Sequence, residues 1–78
     1  MIGELDTIVL EAELPDCGLA RGDIGTVVLV HGDGVGYEVE FTAVDGSTVA
    51  VVSLSADQVR LAAHGEIPHA RTMQPAST

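Results

Sequence analysis

Three histidines, one cysteine and two glutamates on one strand face are the side chains of this 78-residue sequence whose types and spacing suggest chemistry. His64 and His69 form a His-x4-His pair, which offers two imidazoles to a metal ion. A zinc site needs three or four ligands, so the expectation is three exposed histidines, no metal and no cofactor. Cys17 sits in Pro15-Asp16-Cys17-Gly18. A nucleophilic thiolate needs a cation beside it, and no lysine or histidine is adjacent. As a lone cysteine it has no partner for an intrachain disulfide. Glu38 and Glu40 lie ~7 Å apart along an extended strand. Paired carboxylates do acid–base work when their surroundings raise one pKa, and a solvated face raises neither. The glycines of His31-Gly32-Asp33-Gly34-Val35-Gly36 open no helix and precede no Lys-Ser/Thr, so they are not a phosphate cradle. The sequence contains no Ser-His-Asp pattern, Walker loop or Cys-x-x-Cys. It reads as a binding protein, not an enzyme.

The elements that must position these residues are strands. Hydrophobic residues make up 46% of the chain, mostly Val, Ala, Leu and Ile, with one Tyr, one Phe and no Trp. Valine suits a pleated, half-buried surface. The first strand is expected at Leu5 to Ala12, with Ile8 and Leu10 on one face and Leu5 and Val9 on the other. Glu13 to Gly22 is a loop punctuated by Pro15, Gly18 and Gly22. The second strand runs from Asp23 to His31, and Gly25 within it signals a bulge or sharp bend. Tyr37-Glu38-Val39-Glu40-Phe41 alternates without fault, which assigns Tyr37 to the core rather than to a binding surface. Asp45-Gly46 predicts a type I′ turn into a fourth strand, Thr48 to Leu54. Ser55 caps one 3₁₀ turn over Ser55 to Gln58, and Val59 to Ala62 closes as a fifth strand.

These elements define an all-β fold: a small five-stranded SH3-like barrel with a 3₁₀ turn before the last strand and a disordered C-terminal tail. Closure suits so short a chain because it removes exposed edges. The domain is 1–62, with a core of Ile8, Leu10, Val27, Val39, Phe41 and Val52. The tail, 63–78, lacks periodicity and is expected to be flexible. An OB-type barrel would need a helix between its third and fourth strands, and none is signalled.

Charge narrows the partners. Twelve acidic residues face three arginines and no lysine, for a net charge of −9. Nucleic-acid binding rests on Lys and Arg neutralising phosphates, and anionic membranes make the same demand. Neither partner is expected. An acidic surface suits a basic protein, and Glu11, Glu13, Asp16, Glu38 and Glu40 are the candidate partner-binding residues. Leu14, Cys17 and Leu19 offer a second, apolar contact, or simply anchor their own loop. Met1 to Asp6 shows neither a signal peptide nor a membrane span, so a cytoplasmic location is the expectation.

Arg21-Gly22-Asp23-Ile24-Gly25-Thr26-Val27 resembles KOW-type SH3-like domains. A closer resemblance, over more of the chain, is to domain-of-unknown-function family 4926, a group of small bacterial proteins. It is carried by Leu5 to Leu10, Leu14-Pro15, Gly18 to Val28, Gly36 to Phe41, Asp45-Gly46 and Leu54 to Arg60. The resemblance implies the fold more than an activity. Some members of the family sit beside genes for small toxin-like proteins, and the resemblance thereby implies an antitoxin or immunity role. The expected function is a non-catalytic module docking a basic protein through its acidic face. The alternatives are an accessory or assembly domain of an enzyme subunit and, lower in order, a KOW-type nucleic-acid-associated barrel.

Overall fold

A computed structural model describes residues 1–73. Its strands are β1 (Thr7–Leu10), β2 (Ile24–His31), β3 (Gly36–Thr42), β4 (Thr48–Ser55) and β5 (Val59–Leu61). Two 3₁₀ turns, Pro15–Cys17 and Ala56–Gln58, are the helical pieces among the described residues. All five strands join one antiparallel sheet in the order β4-β3-β2-β1-β5. The all-β class, the five strands and the 3₁₀ turn before the last strand are as the sequence predicts.

Closure is the part of the barrel expectation that the hydrogen bonds do not make. β4 and β5 are the two edges of an open sheet. The sheet is nevertheless rolled. Four strand gaps of ~4.8 Å would hold β4 and β5 ~19 Å apart in a flat sheet. The turn Ala56–Gln58 joins them directly, and four residue steps from Ser55 to Val59 reach at most ~14 Å. The two edges must therefore curl toward each other at that end. Gln58 Oε1 accepts the Ser55 N–H at 2.9 Å and fixes the start of this turn, as a capping-box glutamine does.

Alternation places the core inside the curl. Ile8, Leu10, Val27, Val39 and Phe41 are buried completely or nearly so, with Tyr37, Leu19, Leu54 and Val59 around them. Val52, expected in the core, is only half-buried and packs against its rim. It lies on edge strand β4, which has no neighbour on its far side to cover it.

Local geometry corrects three expectations and decides between the two readings of the loop 13–22. Leu5 is not in the first strand: it adopts φ 70° in a turn before β1 and is 80% exposed. Its N–H donates to the Val27 carbonyl at 2.7 Å. Gly25 is not the bulge. The register shifts between Val27 and Leu29, whereas a Cβ at Gly25 would stand 2.6 Å from Val39 Cγ1 and 2.9 Å from Phe41 Cε1. The glycine there makes room for the core. The Asp45-Gly46 turn is not type I′, which needs positive φ at both central residues. Only Gly46 has it, at 92°. Ala43 N–H donates to Ser47 O and Gly46 N–H to Ala43 O, the pattern of a type I turn followed by a left-handed glycine. Finally, the loop 13–22 anchors itself. Leu14 and Leu19 exchange both backbone bonds, at 2.9 and 3.0 Å, closing the turn that holds the half-buried Cys17.

The chain beyond Leu61 carries no strand or helix through Met73 and is exposed. It returns along the outer face of the sheet as a strap. Val9 points to that outer face, between Ile24 and Arg60, yet it is buried. Ile67, Pro68 and His69 lie over the same hollow as Val9 and Ile24, which accounts for the cover. Among the described residues no helix is long and apolar enough to cross a membrane.

Candidate functional site: an acidic sheet face and a strapped groove

The alternation of β3 turns Glu38 and Glu40 to the outer face of the sheet. Two rows run across it: Leu29, Glu38 and Ser53, then Thr26, Glu40 and Val51. Leu29 is 45% exposed and Val51 55%, so carboxylates and aliphatic side chains share this surface. Glu40 accepts the Thr48 hydroxyl at 3.1 Å. Glu38 is not the free, solvated carboxylate the sequence predicts. Its Oε2 accepts the Ser53 hydroxyl and His31 Nε2, the latter at 2.7 Å. The Ser53 bond first, and then the His31 bond, hold the Glu38 carboxyl below its ordinary range.

Ser53, Glu38 and His31 together contain the side-chain types of a hydrolytic triad, in the wrong order. Nucleophilic serine needs a histidine as the base between it and the acid. Here the glutamate stands in the middle and both partners donate to it. The arrangement fixes Glu38 in place and puts no histidine base against Ser53. The sequence concealed this cluster because its members come from three strands. Among the described residues there is no group of three or more His, Cys, Asp or Glu that could hold a metal ion.

The other three candidates lie elsewhere. β1 ends level with the start of β2, so Glu11, Glu13 and Asp16 cluster around the loop beyond it. That is about 20 Å along the strands from the Glu38 row. Glu11 accepts Arg60 Nε at 3.2 Å, Glu13 Oε2 accepts the Arg21 N–H at 3.0 Å, and Asp16 is exposed in the first 3₁₀ turn. The five acids therefore form two groups on one molecule, not a single cluster.

The strap lies beside the second group and is held by two arginines. Arg60 on β5 donates through both terminal nitrogens to Glu66, at 2.8 and 2.7 Å. That bidentate pair, with the Ala63 N–H, holds the Glu66 carboxyl down at about 2. Arg71 Nε donates to Asp23 Oδ1 at 2.8 Å, and Nη2 donates to Asp23 Oδ2 and, at 3.1 Å, to the Gly18 carbonyl. Partial burial of Asp23 works to raise its pKa, but the Arg71 bond, the Ala20 N–H and the arginine's charge outweigh it, and the carboxyl stays below its usual range. Next to this pair opens a groove of about 460 Å³. Leu19, Ile24, Phe41 and Val49 line its floor, and Pro68 to Arg71 and Met73 line its roof. Sequence reasoning passed over Asp23, Arg71, Arg60 and Glu66. The available signal was that the tail's charges are one acid and one arginine of opposite sign, which invites pairing.

Residues 4–61 match the family described as Domain of unknown function (DUF4926). The match covers most of the chain, and the protein belongs to that family. It takes in all five strands and ends where the strap begins. No curated protein and no solved structure matches the chain.

Proposed function

We propose that the protein is a non-catalytic binding module that docks a basic protein through the outer face of its sheet. An antitoxin or immunity-type protein is the form this takes when the partner is a toxin. The observation that carries the reading is the make-up of the β2–β3–β4 face. Glu38 and Glu40 stand among the exposed Val28, Leu29 and Val51 on a chain of net charge −9. Exposed aliphatic side chains offer contact area that is favourable to bury. The carboxylates select for positive charge and speed encounter. The Ser53–Glu38–His31 cluster supports the reading because it holds one carboxylate in a fixed place.

The test starts from the proteins that the tagged chain retains from its host at low salt. For a retained basic partner, the association rate should fall as salt rises, because exposed charges are screened beyond ~8–10 Å. Reversing Glu38 and Glu40 to Lys should slow association while leaving the far-ultraviolet circular dichroism unchanged. A partner whose association ignores both salt and the reversal would end the reading. So would retention of an RNA or DNA probe in a mobility-shift assay at ordinary salt.

A further inference from the structure

We propose that Asp23, the Gly18 carbonyl and the apolar groove beside them form a socket for an arginine on an extended segment of the basic partner, and that the chain's own strap, Glu66 to Met73, occupies it in cis. The proposal rests on the docking reading above and names where one basic side chain goes.

The socket is defined by what already sits in it. Arg71 presents Nε and Nη2 to the two oxygens of one carboxylate, with Nη2 also donating to a backbone carbonyl. That fork matches a guanidinium and not the point charge of a lysine. The acceptors are held by the domain, not by the strap. Ala20 N–H donates to Asp23 Oδ2 at 2.8 Å, and Asp23 N–H donates back to the Ala20 carbonyl at 3.0 Å. The reciprocal Leu14–Leu19 bonds close the loop that carries Gly18, whose φ is 72°. All of these residues lie within the family match, 4–61, and Arg71 lies outside it.

The strap is poorly suited to stay. It has no regular structure and is exposed along its length, and exposed ion pairs contribute little. The groove is wider than the strap fills, since open volume remains between Phe41, Val49 and the strap residues. A longer or bulkier arginine-bearing segment would bury more of Ile24 and Val49, the part of that floor still open to solvent. The socket also adjoins the proposed docking face. Ile24 and Thr26 lie on the same side of β2, ~7 Å apart, and Thr26 pairs with Glu40. One basic partner can thus lie along Glu38 and Glu40 and place an arginine on Asp23. With −9 overall, the chain spends one of its three arginines covering that site.

The experiment uses the full chain, its Arg71→Ala variant, and a synthetic peptide of the strap sequence, Glu66 to Met73, titrated against ¹⁵N-labelled protein. The Arg71→Ala chain should bind the peptide, with shifts centred on Gly18, Leu19, Asp23 and Ile24. The unaltered chain should bind it about tenfold more weakly or less, because a short tether holds the competing strap at an effective concentration in the ~mM range. A peptide with alanine in place of its arginine should not bind, and one with lysine should bind more weakly. Asp23→Asn in the Arg71→Ala background keeps an acceptor for the Ala20 N–H and should abolish binding. Equal affinity for both chains, indifference to Asp23 or to the peptide's arginine, or no binding at millimolar peptide would overturn the socket. A wild-type dimer that Arg71→Ala dissociates would place the strap in a second copy and overturn the cis arrangement. The docking reading fails separately. If the Glu38/Glu40 reversal still slows a basic partner while the peptide does not bind, only the socket falls. If the peptide binds but the partner ignores salt and the reversal, the outer-face reading falls instead.

Discussion

The curled sheet and the strap that crosses it are held by opposite means. Inside the sheet, Ile8, Leu10, Val27, Val39 and Phe41 are buried, and among the described residues no polar or charged side chain is buried with them. The strap is itself exposed along its length, covers little of the sheet beyond Val9, and is fastened by Arg60 to Glu66 and by Arg71 to Asp23. Apolar burial scales with area and has no direction. Ion pairs are directional, respond to salt and pH, and contribute little when exposed. A small domain that needs all its burial for stability can thus carry a segment that detaches without unfolding it. Changes in the sheet should move stability, and changes in the strap should move only the strap.

The largest effect should come from the centre of the sheet. Phe41→Ala removes the only phenylalanine from a site that is 2% exposed. Such truncations cost roughly 3–5 kcal/mol, a large part of the stability of a domain this size. Urea denaturation should show it, and a variant that melts like the wild type would break the core side of the comparison. Gly25→Ala adds one methyl group at the same place. The new Cβ would meet Val39, Phe41 and, at 3.1 Å, the Glu40 carbonyl. The backbone atom cannot rotate away, so the expected cost is ~1–3 kcal/mol. A neutral result would mean that β3 can retreat from β2.

The two regions also differ in how far the sequence discloses them. The period-two alternation of Tyr37 to Phe41 gives both the core face of β3 and the outward placement of Glu38 and Glu40. Thr48 to Leu54 and Thr7 to Leu10 give their strands by a different local signal, a short β-branched apolar run. Alternation is a local signal, so it fails where a distant neighbour decides the outcome. Val52 has the pattern of a core residue, but β4 is an edge and its cover is incomplete. Val9 has the pattern of an outer residue, but the strap covers it. Gly25 reads as a backbone signal, and its reason is the side chains of two residues on another strand. The strap's fastening is the extreme case. Arg71 and Asp23 are 48 residues apart, and no local period connects them. Ser53 and His31 meet at Glu38 across neighbouring strands in the same hidden way. The outer-face half of the candidate site was therefore legible in the sequence, and the strapped half was not.

A smaller effect, of opposite sign, should come from the turn before β1. Leu5 holds φ 70°, a conformation that costs a side-chain-bearing residue ~1–2 kcal/mol. It is 80% exposed, so its side chain gives little back through burial. Leu5→Gly relieves the strain and adds ~0.5–1 kcal/mol of unfolded-chain entropy. The net expectation is a gain of roughly 0.5 kcal/mol, seen as a raised denaturation midpoint. A loss of stability would show that the Leu5 side chain packs on the sheet and belongs to the core after all.

The smallest effect on global stability should come from releasing the strap, where the local effect is nevertheless large. Glu66→Gln keeps the shape of the side chain and removes its charge, so the Arg60 fork loses its charged partner at Glu66, while the sheet loses at most the cover over Val9 and keeps its inner core. The melting temperature should stay within error of the wild type, while amide relaxation of residues 63–73 shifts toward fast motion. Acid should do the same to the unaltered chain, and the sign follows from the carboxyl. Arg60 and the Ala63 N–H lower the Glu66 pKa from 4.5 to about 2. The contribution of the pair is therefore present above the ordinary carboxylate value and is lost as pH falls toward 2. Asp23, also held below its usual range, loses its hold on Arg71 in the same direction. Strap amides followed by NMR from neutral pH downward should keep their dispersion to below pH 4 and lose it near pH 2, ahead of the β1–β3 amides. Strap and sheet amides that collapse together would show one cooperative unit instead of two. A strap already mobile at neutral pH would show that the arginine clasps do not hold it.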